Sequence, residues 1–384
     1  MTNHLWTIHF MRICVANLLL FISLYMLFPV VPVEMADHLG VPVSQTGAMF
    51  LLLTLGMFAI GPFHAYLVDA YKRKYVCAFS FATMVAATVG YGFVNDITQL
   101  LLLCFVQGIA FGMATTAGIT LAIDITNTNL RSSGNIAFSW TARLGMLIGI
   151  ALGGGLYQWY DFKTLLYVSV IAGLAGIFFV FRVYVPFRAP IVTNLCSSDR
   201  FLLLRGWLPA FNLMLIAFIP GLLLPVFHNS LSDVFIGNIE IPFFAIVGVG
   251  FLFSALLARF VYREEKTLRV ITLGISLMMV SFILLKELPA IVTAILLGVG
   301  LGLVTPEFLL MFVKLSQHCQ RGTANTTHLL AWEAGMSLGV AAACYLSTES
   351  SVDAVYHLGR ILTPIALLFF VLLTYPYFKK KRVR

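Results

Sequence analysis

The 384-residue chain is 60% hydrophobic and 10% charged, with a mean hydropathy of +0.96. That excludes an ordinary soluble domain, in which about 25% of residues are charged, and marks a membrane protein. The net charge of +8 and pI near 9.2 do not signal a nucleic-acid partner, because the basic residues follow a topological pattern instead of forming one patch.

Apolar runs of about 20 residues, the length that crosses a hydrocarbon core about 30 Å thick, predict twelve spans. They cover roughly 11–33, 45–67, 75–94, 98–122, 135–157, 162–184, 205–227, 239–259, 268–286, 289–313, 324–346 and 356–377. Their continuous length and weak alternation favour helices over a transmembrane barrel. If the spans alternate in direction, all of the 24 Lys and Arg residues except Lys163, Lys286, Arg360 and Arg143 lie on one side. The positive-inside rule places that side, with both termini, in the cytoplasm. The first run is too long for a signal-peptide core and is followed by no small-residue cleavage site, so it is expected to stay as a span. Six scattered cysteines, with no CxxC pair, imply neither a disulfide framework nor a metal site.

Polar residues inside the spans are the candidates for function. In span one, Asn17 and Tyr25 share a face with Phe21 and Phe28, ahead of Pro29. The connection to span three reads "GPFHAYLVDAYKRKY", in which Asp69 precedes Lys72, Arg73 and Lys74. Span four carries a stripe of Gln107, Phe111 and Thr115. Span five reads "SWTARLGMLIGIALGGG": Trp140 and Arg143 are followed by Gly145, Gly149, Gly153 and Gly154, small residues that let helices approach closely. Arg143 lies near mid-depth, where a charge costs about 3 kcal/mol on insertion scales, so it should face a watery cavity or a partner.

The longest hydrophilic connection, "VPFRAPIVTNLCSSDR" at 185–200, divides the chain nearly in half. Three segments are expected: an N-terminal six-helix half (1–184), a cytoplasmic linker (185–204) and a C-terminal six-helix half with a basic tail (205–384). Beyond it, span seven carries Asn212. Span ten, "GLGLVTPEFLL", places Glu307 after Pro306, where the acid can take a proton or pair with Lys314 seven residues on. Span eleven, "LLAWEAGMSLG", carries Glu333, with His328 and Trp332 four apart before it. With Asn17, Tyr25, Gln107, Phe111, Thr115, Trp140 and Asn212, these last two make a mixed aromatic and polar lining for a substrate cavity.

The halves repeat. An offset of 190 residues pairs Gly108 with Gly298, Gly112 with Gly302, Thr115 with Thr305, Arg131 with Arg321, Asn135 with Asn325, Gly145 with Gly335, Met146 with Met336 and Gly149 with Gly339. The same offset carries Arg143 onto Glu333, so matching positions bear opposite charges. Either Glu333 carries a proton under the influence of Arg143, or the pair is a structural bridge between halves.

Six plus six parallel spans with a cytoplasmic linker resemble the major facilitator superfamily, which implies halves rocking about a midplane cavity. Ala65, Leu67, Asp69, Arg73 and Lys74 resemble that family's loop between spans two and three, implying a conformational latch. The corresponding loop "ALLARFVYREE" keeps Leu257 and Arg263 but has Arg259 in place of the acid. The four span-five glycines resemble the motif of proton-driven exporters, with Ile150 where proline is usual. In span four Gln107 and Gly108 match an exporter motif whose arginine is replaced by Cys104.

No phosphate-binding loop, HExxH or GxSxG constellation occurs, so the energy is expected to come from a gradient or from the substrate itself, and no enzyme or cofactor is expected. The expected function is a proton-coupled, monomeric exporter of small amphipathic or organic molecules in a bacterial inner membrane, in contact with lipid. The alternatives are a proton-coupled importer of a small organic acid, sugar or metabolite, with Arg143 clamping an anion, and a membrane sensor without transport.

Overall fold

The computed structural model describes residues 5–185, 196, 201–227, 233–236, 239–261, 267–287, 289–317 and 320–382. Most of the predicted linker, and the side chains of Leu257, Arg259 and Arg263, lie outside the described residues.

The chain is almost wholly helical. The first helices are α1 (Ile8–Tyr25), α2 (Val31–Leu39), α3 (Val43–Gly47), α4 (Met49–Ala59), α5 (Gly61–Ala70) and α6 (Arg73–Gly90). The long α7 (Ile97–Asp124) and α8 (Arg131–Trp159) follow, then α9 (Phe162–Phe181), α10 (Trp207–Phe227), α11 (Phe243–Val261) and α12 (Thr267–Ile283). The chain continues through α13 (Ala290–Leu315), α14 (Arg321–Glu349) and α15 (Val352–Phe369), and a π turn (Phe370–Thr374) leads into α16 (Tyr375–Lys381). Among the described residues nine helices are long and apolar enough to cross a membrane, or ten if the bent α3–α5 segment counts as one span. The α11 stretch Phe243–Ser254 and α12 are shorter apolar helices at predicted spans.

Local chemistry sets several boundaries. Asp96 and Asp161 are N-caps: their carboxylates accept from Thr98 N–H at 3.0 Å and Thr164 N–H at 2.8 Å. Hydrogen bonds from the hydroxyl and then the N–H of those threonines hold both carboxyls below the usual range. The first predicted span is shorter than its apolar run, because α1 stops at Tyr25 and the chain turns through Pro29 before Pro32 opens α2. Predicted span two bends by 49° at Ile60, just ahead of Gly61 and Pro62. A small hairpin, β1 (Asp233–Ile236) with β2 (Ile239–Pro242), occupies the α10–α11 connection. Hydropathy did not announce it.

The helices pair in a recurring scheme. In the first half α1 lies on α8 and α9, α4 on α7, and α6 on α7 and α9. In the second, α10 lies on α14 and α15, α11 on α13, and α12 on α13 and α15. Glycines allow the closest approaches. A Cβ on Gly145 would stand 2.5 Å from the Leu18 carbonyl oxygen, and one on Gly149 2.8 Å from that of Ile22. Gly153 abuts the Met26 backbone in the same way, which makes a three-step seam of α8 against α1. Gly154 is not part of that seam: one residue past Gly153, it is rotated about 100° from it and has no neighbour within 4 Å.

The outward faces are apolar, as contact with lipid tails requires: Phe79 and Phe93 are each 75% exposed and Tyr167 68%. The innermost helix, α14, buries most of its length. It packs against α3, α4 and α7 as well as its own half, and α8 meets α11.

Candidate functional site

Three chain segments far apart in sequence meet around one carboxylate. Arg143 on α8 and Glu333 on α14 are fully buried, at 0% and 1% exposure, and Arg143 Nη1 lies 2.7 Å from Glu333 Oε1. The second carboxylate oxygen, Oε2, accepts a short hydrogen bond from the Tyr25 hydroxyl on α1. The guanidinium also sits over the Trp332 ring, 4.3 Å from its centroid, a cation–π contact that desolvation strengthens. Arg143 Nε and Nη2 and Trp332 Nε1 have no hydrogen-bond partner among the described residues.

Aromatic rings wall off the Tyr25 side. Tyr25 stacks on Phe28 at 4.4 Å and on Phe21 at 6.1 Å, and Phe21 meets Phe111 edge-on at 5.1 Å. These rings give the carboxylate a low-dielectric surrounding on one side, with the guanidinium on the other. The carboxylate is held between one cation and one hydroxyl donor, and removal of either donor leaves lone pairs without partners.

The other predicted residues are buried but dispersed. Asn17 donates to the Phe138 carbonyl at 3.2 Å and to Thr141 Oγ1 at 3.0 Å, fastening α1 to α8. Gln107 accepts from the Tyr91 hydroxyl at 2.6 Å and donates to Thr88 at 3.4 Å, which ties α7 to the α6 end. Asn212 donates to the Ala366 carbonyl at 3.0 Å, between α10 and α15. All three amides therefore sit at helix–helix contacts. Thr115 is buried in α7, and Trp140 leans on Phe251 at 5.6 Å. His328, one turn before Trp332, places Nε2 3.2 Å from the Thr305 carbonyl and its ring beside Phe312. Glu307 is buried on α13, and among the described residues no ion pair joins it to Lys314. No cluster of His, Cys, Asp and Glu suited to a metal occurs among the described residues.

The predicted latch takes a different form from a simple acid and basic cluster. Arg73 Nη2 pairs with Asp69 at 3.0 Å and Nη1 with Asp124 at 2.6 Å, so one guanidinium bridges the ends of α5 and α7 from the start of α6. Lys74 takes no part and has no ion-pair partner among the described residues. Asp124 was not anticipated from sequence, although an acid ending an apolar helix near a basic loop is the available signal.

Contacts also form near the two ends of α14. Ser44 donates to Glu349 at 3.4 Å and Gly47 packs on Cys344, joining α3 to the α14 end. At the other end Phe201 covers Gly61 and His64, while Leu203 N–H donates to Thr327 Oγ1 at 2.8 Å.

Comparison with known proteins places these features in context. The sequence profile described as Major Facilitator Superfamily matches residues 13–340. Among solved structures, the human organic anion transporter MFSD10 (TETRAN) aligns with a TM-score of 0.67 at 13% identity, over 94% of this chain and 98% of that one. The nucleoside transporter NupG, solved as a point mutant, aligns with a TM-score of 0.68 at 14% identity, over 95% of this chain and 100% of that one. At such identities the likeness concerns the fold. No curated protein sequence matches this one.

Proposed function

The chain belongs to the Major Facilitator Superfamily and is a membrane transporter, not an enzyme; from that premise we propose that it is a proton-coupled secondary transporter that exports small amphipathic or organic molecules. In this reading twelve spans form two six-helix halves, 1–184 and 205–384, joined by a cytoplasmic linker at 185–204. The chain works as a monomer in a bacterial inner membrane with both termini cytoplasmic. Support for the two halves comes from the recurring helix pairings and the 190-residue offset between paired residues.

The observation that carries the mechanism is the contact of Arg143 with Glu333 at twin positions of the repeat. Glu333 takes up and releases the proton, Arg143 sets how readily it does so, and Tyr25 orients the carboxylate. Protonation weakens the ion pair and so alters how α8 and α14 hold each other, which couples proton movement to rocking of the halves. Glu307 is the second acid proposed for proton traffic. The cavity is proposed to draw on Tyr25, Phe111, Thr115, Trp140, His328 and Trp332, with Asn17, Gln107 and Asn212 holding the helices behind it, and Asp69 and Arg73 on the loop side form the latch with Asp124.

A second reading, import of a small organic acid with protons, draws on Arg143 Nε and Nη2, two buried donors without a partner among the described residues that suit a carboxylate. The test is pH-gradient-driven flux in proteoliposomes against a panel of lipophilic cations and small organic acids. Proton entry coupled to cation exit supports export, and proton and acid moving together supports import. Equal flux for wild type and Glu333→Gln removes Glu333 from either mechanism.

A further inference from the structure

Between the bent second span and its neighbours lies a groove of about 410 Å³, remote from the Arg143–Glu333 pair, lined by Leu67, Tyr71, Val76, Phe79, Thr83 and Met113 among others. It opens where the 49° bend occurs, with Ile60 at one edge, α6 as one wall and α7 as the floor. The hydroxyls deeper along its α6 wall are already engaged: Ser80 donates to the Val76 carbonyl at 2.8 Å and Thr83 to that of Phe79 at 3.0 Å. The walls therefore offer an occupant hydrocarbon contact and little else.

One end differs. Lys72 is exposed, caps the start of α6, and holds its ammonium 5.9 Å from the Tyr75 ring centroid. Tyr71 and Tyr75, more than half exposed, flank it at the groove mouth. Residues 75, 76, 79 and 83 share one face of α6, and the Lys72 ammonium, on the N-cap residue ahead of them, lies by the Tyr75 ring at the groove mouth. From the start of α6 at Arg73 to Thr83 the wall extends about 15 Å, half of a hydrocarbon core about 30 Å thick.

We propose that this groove is a binding site for an anionic phospholipid, with one acyl chain along α6 and the phosphate on Lys72 and the Tyr71 and Tyr75 hydroxyls. The dimensions match the tail of one leaflet, the lining matches hydrocarbon, and the Lys72 cation at the mouth matches an anionic headgroup. Basic residues at the membrane-facing ends of helices recognise such headgroups by charge. The bound chain fills the space behind the bend and steadies α5, whose end residue Asp69 belongs to the Arg73 bridge.

The test is apparent thermal stability of the full chain in detergent, titrated with phosphatidylglycerol, phosphatidylcholine or inorganic phosphate. A ligand of the folded state raises stability in a saturable way. The expected result is a larger upward shift with phosphatidylglycerol than with phosphatidylcholine and none with phosphate alone. Lys72→Gln, an exposed change that leaves the fold intact, should bring phosphatidylglycerol down to the phosphatidylcholine level. Thr83→Phe, which fills the groove, should remove both shifts. Equal shifts for the two lipids on wild type, or a headgroup preference that survives Lys72→Gln, overturns the proposal, and so does a shift produced by phosphate alone.

Discussion

Arg143 and Glu333 are 190 residues apart in sequence and 2.7 Å apart in space. Removing one member of such a pair leaves an uncompensated buried charge, at a cost of about 3–5 kcal/mol, whereas removing both is far milder. Arg143→Ala is therefore expected to lower thermal stability more than Arg143→Ala combined with Glu333→Gln. A double-mutant cycle measures the coupling, and strictly additive losses would show that the two side chains do not interact.

Tyr25→Phe deletes one donor to the Glu333 carboxylate and keeps the ring stack with Phe28. A hydrogen bond to a charged group contributes about 1.5–3 kcal/mol, so a loss of that size is expected on thermal unfolding, together with reduced pH-driven flux. In a Glu333→Ala background the same change should cost little. An equal loss in both backgrounds would mean that the hydroxyl matters for some other contact.

The glycine seam separates positions that sequence treats alike. Gly145→Ala forces a methyl against the Leu18 carbonyl oxygen, where only 2.5 Å is free, and overpacking of this kind costs about 1–3 kcal/mol. Gly154→Ala, in open space, should be neutral or raise stability by up to about 1 kcal/mol through helix propensity. Melting temperatures of the two variants decide, and equal destabilisation would remove the seam.

The Arg73 bridge predicts a contrast between neighbours. Arg73→Ala removes both ion pairs of the bridge, with an expected cost of about 1–3 kcal/mol and a larger fractional loss of flux, because the Arg73 link between α5 and α7 is gone. Lys74→Ala should leave both unchanged. Flux assays that show the two variants to be alike would dissolve the latch.

What could be read beforehand divides along physical lines. Long apolar runs registered the helices because lipid leaves the backbone no other partner. The 190-residue offset pointed to Arg143 and Glu333 as counterparts, and their side chains meet at 2.7 Å. Tyr25 escaped notice as the third member, since 308 residues separate it from Glu333 and a phenol in an apolar helix carries no sign of its partner. Hydropathy shows that Asn17, Gln107 and Asn212 are polar, but not that their amides are taken up by Phe138, Tyr91 and Ala366. The bend at Ile60 and the π turn at Phe370–Thr374 depend on packing between helices, which composition along a single helix does not record.

The separation of the two charges also bears on how the chain is made. At about 5–20 residues per second, the ribosome needs roughly 10–40 s to travel from Arg143 to Glu333. Throughout that interval the guanidinium has entered the bilayer without its counter-ion, at an insertion cost of about 3 kcal/mol. The nascent first half must carry that burden alone until the eleventh apolar segment arrives, so assembly is completed only when the late-made carboxylate docks onto a cation that has been waiting for it.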